Sequence, residues 1–133
     1  MKKVDELNLP DDLQYTQSHE WARSEGEKLK VGLTDYAQDQ MGEVVFVELP
    51  SPGESFRQKE VFSTVESVKA VAEVYMPVGG KIALVNESLR DDPEMVNRDP
   101  YGQGWLVEIE PDEPSQVQDM FDSAGYRKMV RGG

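Results

Sequence analysis

The sequence predicts a small, mainly β protein, a β sandwich or half-open barrel with short helices near its C-terminal end. Three observations support this fold class: short apolar stretches recur at regular spacing between turn signals, residues 27–33 alternate apolar and polar side chains, and residues 61–76 have the composition of a β-hairpin. Regularly spaced short strands are typical of sandwiches and barrels. The 133 residues suffice for a single domain with its own core.

The first part of the chain predicts two strands and a helix. The alternation over residues 27–33 directs Leu29, Val31 and Leu33 to an inner face. Thr34 is a typical helix N-cap and Gly42 a typical helix end, so a short helix is expected between them. We expect residues 1–10 and 131–133 to be loose ends, because chain termini are often poorly ordered.

Two later stretches resemble each other. Residues 42–47 and 80–85 each begin with Gly, continue with one charged residue and end with four apolar residues. The first stretch is predicted to be a buried strand. The repeat, weak evidence by itself, indicates a doubled sheet with one such motif before the hairpin and one after it. A last strand is predicted over residues 104–110. A capping-box pattern at residues 115–118 then predicts a helix, and Tyr126, Met129 and Val130 predict a second one.

The predicted hairpin carries a lysine at its tip. In residues 61–76, β-branched and aromatic side chains flank the short polar segment Glu66-Ser67-Val68-Lys69-Ala70. Val68 and Ala70, on either side of Lys69, are small and uncharged in a chain rich in acidic residues. Such a tip suits an enzyme that must bind and acylate one lysine, whereas the alternative is a solubilising turn lysine.

Composition and charge exclude several classes of function. The net charge of −12 disfavours nucleic acid and anionic membranes and favours partners with basic surfaces. Without cysteine the chain has no disulfide, no thiolate metal site and no cysteine nucleophile. His19, the single histidine, has no second histidine for a metal site and no triad partners, so it is interpreted as a structural polar residue. No metal site and no catalytic activity are predicted.

No targeting segment is expected. The longest wholly apolar runs, such as residues 44–47, are far too short to span a bilayer. The N-terminus turns acidic after two lysines and resembles neither a secretory signal nor a transit peptide, so a cytoplasmic, bacterial-type protein is expected.

Residues 66–70 resemble the lipoyl-attachment motif of the glycine cleavage system H-protein family. Further similar stretches follow the family's order: residues 18–21 (SHEW), 32–38 (GLTDYAQ), 42–50 (GEVVFVELP), 86–89 (NESL) and 97–105 (NRDPYGQGW). The resemblance covers roughly residues 15–130. A single V-K-A sequence is weak evidence, but this ordered set is specific.

The resemblance implies one lipoyl-carrier domain over residues 1–133, a lipoyl-domain-like barrel-sandwich hybrid of two small sheets with short peripheral and C-terminal helices. Lys69 would carry lipoate in amide linkage, within the attachment motif of Glu66, Ser67, Val68 and Ala70. The chain would be a non-catalytic carrier that shuttles the aminomethyl group of glycine from the decarboxylase to the aminomethyltransferase.

The same resemblance implies partners and a resting place for the arm. The partners would be glycine decarboxylase with pyridoxal phosphate, the aminomethyltransferase with tetrahydrofolate, dihydrolipoyl dehydrogenase and a lipoate-attaching enzyme, and the carrier itself would be a monomer. The loaded arm would fold back into a cleft at Ser18, Glu20 and Glu73. For both glutamates, ordinary surface charge is the alternative interpretation.

Two other functions stay open. A biotin carrier also presents its modified lysine at a hairpin turn. Biotinylated turns usually have Met on both sides of the lysine, however, where Val68 and Ala70 stand here. An unmodified, H-like interaction module is the second alternative.

The turn before the hairpin departs from the family's pattern. Lys59-Glu60 stands where the family more often has Gly and an acid, so this turn is expected to differ.

Overall fold

The computed structural model describes residues 1–132, which form two antiparallel β-sheets and several short helices. The strands are β1 (Gln14–Tyr15), β2 (Glu20–Glu25), β3 (Lys28–Leu33), β4 (Val44–Glu48), β5 (Ser55–Phe56), β6 (Val61–Ser67), β7 (Val71–Tyr75), β8 (Gly80–Val85) and β9 (Val107–Pro111). The α-helices are α1 (Asp35–Met41), α2 (Ser88–Asp91), α3 (Met95–Arg98) and α4 (Ser123–Gly132), and 3₁₀ helices span Val4–Glu6 and Pro114–Asp119.

The two sheets differ in size and enclose the main core. One has six strands in the order β1-β2-β3-β9-β8-β5, and the other has three in the order β4-β6-β7. Inward-facing Val31 and Ile109 of the larger sheet and Val47 and Val65 of the smaller one belong to the same buried cluster. The predicted mainly β class is therefore confirmed. None of the helices formed by residues 1–132 is both long and apolar enough to cross a membrane.

The alternating pattern of residues 27–33 and the helix that follows appear as predicted. Leu29, Val31 and Leu33 are buried in β3. The Thr34 hydroxyl oxygen accepts a hydrogen bond from the Ala37 N–H (3.1 Å), which satisfies a free donor in the first turn of α1. At the other end Gly42 has φ 75° and ψ −157°, a backbone region that is essentially restricted to glycine.

The prediction that residues 42–47 form a buried strand is wrong in part. Val44 and Val47 are buried in β4, but Val45 and Phe46 are 47% and 50% exposed. The strand lies at the edge of the smaller sheet, whose outer face meets solvent, and its pairing with β6 is irregular between Val44 and Phe46. A continuous apolar run therefore does not distinguish a strand buried on two faces from one with an exposed outer face.

The pattern at residues 115–118 does not form the predicted capped α-helix. The segment is a 3₁₀ helix with Pro114 at its start and no side-chain cap from Glu113. The second predicted helix is present as α4, in which Tyr126 and Val130 are buried. Gly125 lies in its first turn, where its N–H donates to the Asp122 carboxylate (2.7 Å).

The N-terminal segment is not the loose end that was expected. Leu7 and Leu9 are buried in a second apolar cluster with Tyr15, Trp21 and Tyr126. These leucines complete the cover over the aromatic side chains, and this burial offsets the entropy of ordering the segment. At the other end Arg131 lies in α4 and forms an ion pair with Asp5 (2.6 Å), while Gly133 lies outside the described residues.

Candidate functional site

Lys69 lies at the tip of the hairpin formed by β6 and β7, and its side chain is exposed. The turn is closed by a hydrogen bond from the Ser67 N–H to the Ala70 carbonyl (2.8 Å). The Ser67 hydroxyl oxygen also accepts hydrogen bonds from the N–H groups of Lys69 (3.2 Å) and Ala70 (3.0 Å). Ser67 therefore orders the turn with its side chain, a role common for serine in tight turns.

A neighbouring segment supports the tip. The Val68 N–H donates to the Glu43 carbonyl (3.0 Å), which ties the turn to the start of β4. A Cβ atom added to Gly42 would stand 3.4 Å from the Cε atom of Lys69, so the lysine side chain lies over the Gly42 turn. Gly42 thus provides both the unusual backbone angle and the space beside the lysine.

Asn97 holds this support in place, and sequence reasoning gave it no role. Its Nδ2 group donates to the Gly42 carbonyl (2.8 Å) and to Gln38 Oε1 (3.1 Å), and its Oδ1 atom accepts from the Val44 N–H (2.9 Å). One side chain on α3 thereby joins the end of α1 to the start of β4. Asn97 lies within the matched stretch of residues 97–105, but no local pattern indicates a contact 55 residues away.

Ser18 and Glu20 line a cleft of about 550 Å³. The cleft lies beside Tyr75, at the end of β7 opposite the lysine. Its other lining residues include Thr16, Met76 and Phe121. The structure therefore brings Ser18 and Glu20 together, as the resemblance implied.

Glu20 is buried, with 0% exposure. Its Oε1 atom accepts hydrogen bonds from the hydroxyls of Thr16 (2.5 Å) and Ser18 (2.6 Å), and its Oε2 atom accepts one from the Tyr75 N–H (3.2 Å). Burial raises the pKa of Glu20, and the hydrogen bonds from Ser18, Thr16 and Tyr75 oppose this only in part. The interpretation of Glu20 as ordinary surface charge is therefore wrong.

Glu73 lies elsewhere. It is exposed, is paired with Thr64 across the hairpin and is not part of the cleft lining. Because alternate residues of a strand share a face, Val71, Glu73 and Tyr75 point to the same side of β7. This row runs from the hairpin tip at Val71 to the cleft at Tyr75, with Glu73 between them.

His19 belongs to the turn that carries Ser18 and Glu20. It has φ 76°, and its N–H donates to the Thr16 carbonyl (3.1 Å). Its Nδ1 atom lies 2.8 Å from the Tyr126 hydroxyl, which in turn lies 2.8 Å from the Thr34 hydroxyl. Burial lowers the pKa of His19, which favours the neutral ring. These contacts agree with a structural polar residue that holds the cleft turn in shape.

The structure is a two-sheet β protein with an exposed lysine on a supported hairpin turn and a cleft along the same strand. These features are typical of carriers that hold a prosthetic group on a lysine. The family model of the glycine cleavage H-protein matches residues 13–132. The chain belongs to this family.

Individual relatives agree with the family match. The chain is 44% identical over 126 residues to a glycine cleavage system H protein of Bacteroides thetaiotaomicron, covering 95% of this chain and all of that protein. It is 48% identical over 124 residues to the H protein of Myxococcus xanthus, covering 93% and 96% of the two chains. The crystal structure of a glycine cleavage system H protein from Mycobacterium marinum has a TM-score of 0.83 at 33% identity, with 94% of this chain and 100% of that chain covered.

Family membership fixes the general role. Proteins of this family carry lipoate covalently attached to a lysine. The chain is therefore a lipoyl carrier of the glycine cleavage system, and the alternatives of a biotin carrier and an unmodified module are not favoured.

Proposed function

We propose that Lys69 is the residue that carries lipoate, and that the chain takes the aminomethyl group of glycine from the decarboxylase to the aminomethyltransferase. The observation that carries this proposal is the position of Lys69 at the tip of an ordered hairpin, with its side chain in solvent. The surroundings fit an amide-linked arm, because Lys69 is exposed and its neighbours Val68 and Ala70 are exposed and uncharged.

When bound, lipoate supplies a dithiolane whose sulfur accepts and releases the transferred group. The protein's own residues present and shelter that arm. An amide at Lys69 removes the lysine charge, and the Ser67 turn holds the attachment point away from the body of the sheet. Among the described residues we assign none a catalytic role.

Ser18 and Glu20 are the residues that we propose for the resting position of the loaded arm, with Glu73 on the path toward it. An aminomethyl group is cationic at neutral pH, and a carboxylate about 4 Å from it contributes roughly 4 kcal/mol at an effective dielectric of about 20. Oε2 of Glu20 accepts one hydrogen bond from the residues described, so it keeps acceptor capacity for an amine. A cleft that excludes water also slows loss of a hydrolysable group.

The partners follow from membership in the glycine cleavage system. We propose glycine decarboxylase, the aminomethyltransferase, dihydrolipoyl dehydrogenase and a lipoate-attaching enzyme, each of which meets a monomeric carrier. The net charge of −12 supports partners with basic contact surfaces. A cytoplasmic location is part of the proposal, supported by relatives from bacteria.

The test is a reconstitution with purified glycine decarboxylase and glycine labelled at its α-carbon. Wild type and Lys69→Arg are both exposed to the lipoate-attaching enzyme and then to the decarboxylase. Arg keeps the charge but is not an acyl acceptor, so label should appear on wild type and not on Lys69→Arg. Lys81→Arg, at an exposed lysine on β8, is the matched control and should be labelled like wild type. Label on Lys69→Arg would exclude Lys69 as the carrier residue.

A further inference from the structure

Exposed apolar side chains are concentrated around Lys69. In the described part of the chain the exposed large hydrophobic residues are Met1, Val45, Phe46, Val68, Val71 and Leu84. Four of these six lie on the three-stranded sheet or its turn, and Val68 and Val71 are each 67% exposed. Single exposed hydrophobic residues are ordinary, but a group of them on one face marks an interaction surface.

The sheet register places two of these side chains, Phe46 and Val71, on one face. Phe46 of β4 is paired with Glu66 of β6, which is paired with Val71 of β7. Directly paired residues of antiparallel strands point to the same side, so the three form one row on the outer face next to the turn. The next row on this face consists of Glu48, Thr64 and Glu73.

This outer face is acidic around its apolar part. Glu43, Glu48, Glu66 and Glu73 are all exposed. Within residues 1–132, none of these four carboxylates forms an ion pair with a lysine or arginine of the chain. Their charge is therefore available to a partner, and a surface rimmed with Lys and Arg would be complementary.

We propose that the outer face formed by Phe46, Glu66, Val68 and Val71 is the docking surface for the enzyme that acylates Lys69. The enzyme would contribute a complementary surface, an apolar patch with a basic rim. The inference rests on Lys69 being the acceptor, as proposed above. The acceptor amine is separated from the backbone by only one lysine side chain, so it enters another enzyme's active site only if that enzyme covers the tip. Enzymes that act on the end of the long arm can bind farther away.

The acylation step sets the same requirement. The neutral Lys69 Nζ attacks the carbonyl carbon of an acyl adenylate, a C–N bond forms, the adenylate leaves with the bonding electrons, and the nitrogen loses a proton. The lysine must therefore turn away from Gly42, over which it lies, and into the enzyme. Residues on both sides of it, Phe46 of β4 and Val71 of β7, are placed to contact the enzyme as this occurs.

The experiment measures kcat and KM for acylation of the unmodified carrier by a purified ATP-dependent lipoate ligase. Phe46→Gln should raise KM about 5-fold or more, equivalent to about 1 kcal/mol, with kcat within about twofold of wild type. Val71→Thr keeps the branched shape and should raise KM about twofold. Leu84→Gln is the matched control, since Leu84 is 49% exposed on β8 against 50% for Phe46, and it should behave like wild type.

A wild-type KM for both Phe46→Gln and Val71→Thr would overturn the docking surface. Normal acylation of Phe46→Gln combined with slower loading by glycine decarboxylase would also overturn it, because the patch would then serve that other partner. A failure of wild type to be acylated at Lys69 is a different result and would contradict the proposed function. The thermal midpoint of each variant separates folding defects from docking defects, and Val71→Thr is expected to keep the wild-type midpoint.

The basic rim has its own test. Raising ionic strength should raise the KM of wild type, because screening weakens attraction between exposed charges. Glu66→Gln removes one carboxylate from the patch, so its KM should start higher and change less with salt. A wild-type KM that does not respond to salt would contradict the basic rim.

Discussion

Glu20 and Lys69 have opposite environments, although both are ionisable residues of the proposed site. Lys69 is exposed at a turn, whereas Glu20 is buried with three hydrogen bonds to its carboxylate. A buried carboxylate that is held by several hydrogen bonds keeps a fixed position. Glu20 is therefore suited to binding a group that enters the cleft, and Lys69 to being reached by an enzyme.

The first prediction concerns retention of the transferred group. Glu20→Gln removes the charge with little change of shape, so we expect normal acylation at the hairpin. The loaded carrier should lose its aminomethyl group to water about 5-fold faster, as for a loss of about 1 kcal/mol from the sheltered state. The decay is measured after the loaded carrier is separated from the decarboxylase. Equal decay of the two proteins at low salt would remove Glu20 from the site.

The second prediction uses the pKa of Glu20, which burial raises from its ordinary value of 4.5. The folded state then holds the proton more strongly than the unfolded state, so this residue lowers stability as pH rises from about 4.5 through the folded pKa. The free energy of unfolding of wild type should fall relative to that of Glu20→Gln over this range. Urea unfolding of both proteins at several pH values measures the difference, and a difference independent of pH would contradict the burial effect.

At the level of elements, the hairpin determines which way the lysine points. A shift of one residue reverses a side chain relative to the sheet. The double variant Val68→Lys with Lys69→Val should therefore fold normally but be acylated roughly 100-fold more slowly, since misplacement by about an ångström can have this effect. The acylation rate with purified ligase is the measurement. A wild-type rate would mean that the enzyme tolerates a lysine at either position and that the geometry of the turn does not determine acylation.

The elements that sequence predicts well are those with a local pattern. The alternation ending at Leu33, the Thr34 cap and the hairpin around Lys69 all depend on residues close to one another in the chain. The β4 segment was harder, because four apolar residues in a row do not reveal that Val45 and Phe46 face outward. Lys59 was expected to alter its turn, and it adopts φ 71°, a left-handed conformation that glycine adopts with less strain.

At the level of the whole molecule, one buried carboxylate helps to fasten the N-terminal segment to the body. Asp35 accepts hydrogen bonds from Lys2 Nζ (2.8 Å), the Asn8 N–H (2.8 Å) and Gln38 Nε2 (2.7 Å). Burial acts to raise the pKa of Asp35, but the hydrogen bonds from Asn8, Lys2 and Gln38 outweigh it and lower the pKa. The charged form is therefore favoured in the folded protein.

Removal of this carboxylate should loosen the segment. Asp35→Ala removes the hydrogen bonds from Lys2, Asn8 and Gln38 and should lower the free energy of unfolding by about 2 kcal/mol. Asp39→Ala is the matched control, because Asp39 lies on the same helix and accepts a hydrogen bond from the exposed Lys2 N–H, and it should change stability by less than about 0.5 kcal/mol. Equal effects of the two variants in urea unfolding would support the original expectation of a loose end.

Contacts between distant parts of the chain explain what sequence reasoning missed. Glu20 meets the Tyr75 backbone across 55 residues, Asn97 meets Gly42 across 55, and Asp35 meets Asn8 across 27. No periodicity or turn signal encodes such pairs. The family resemblance points to Lys69 as the attachment residue and to Ser18, Glu20 and Glu73 as cleft residues. The burial of Glu20 and the support of the turn by Asn97 required the three-dimensional structure.

The central claim is that Lys69 is the single residue through which this chain carries its arm. The most direct measurement is peptide mass mapping of the protein purified from cells supplied with lipoate, for wild type and Lys69→Arg. The lipoyl mass increment should fall on the peptide that contains Lys69 in wild type and be absent from every peptide of Lys69→Arg. An increment on another lysine, or one that persists in Lys69→Arg, would contradict the claim.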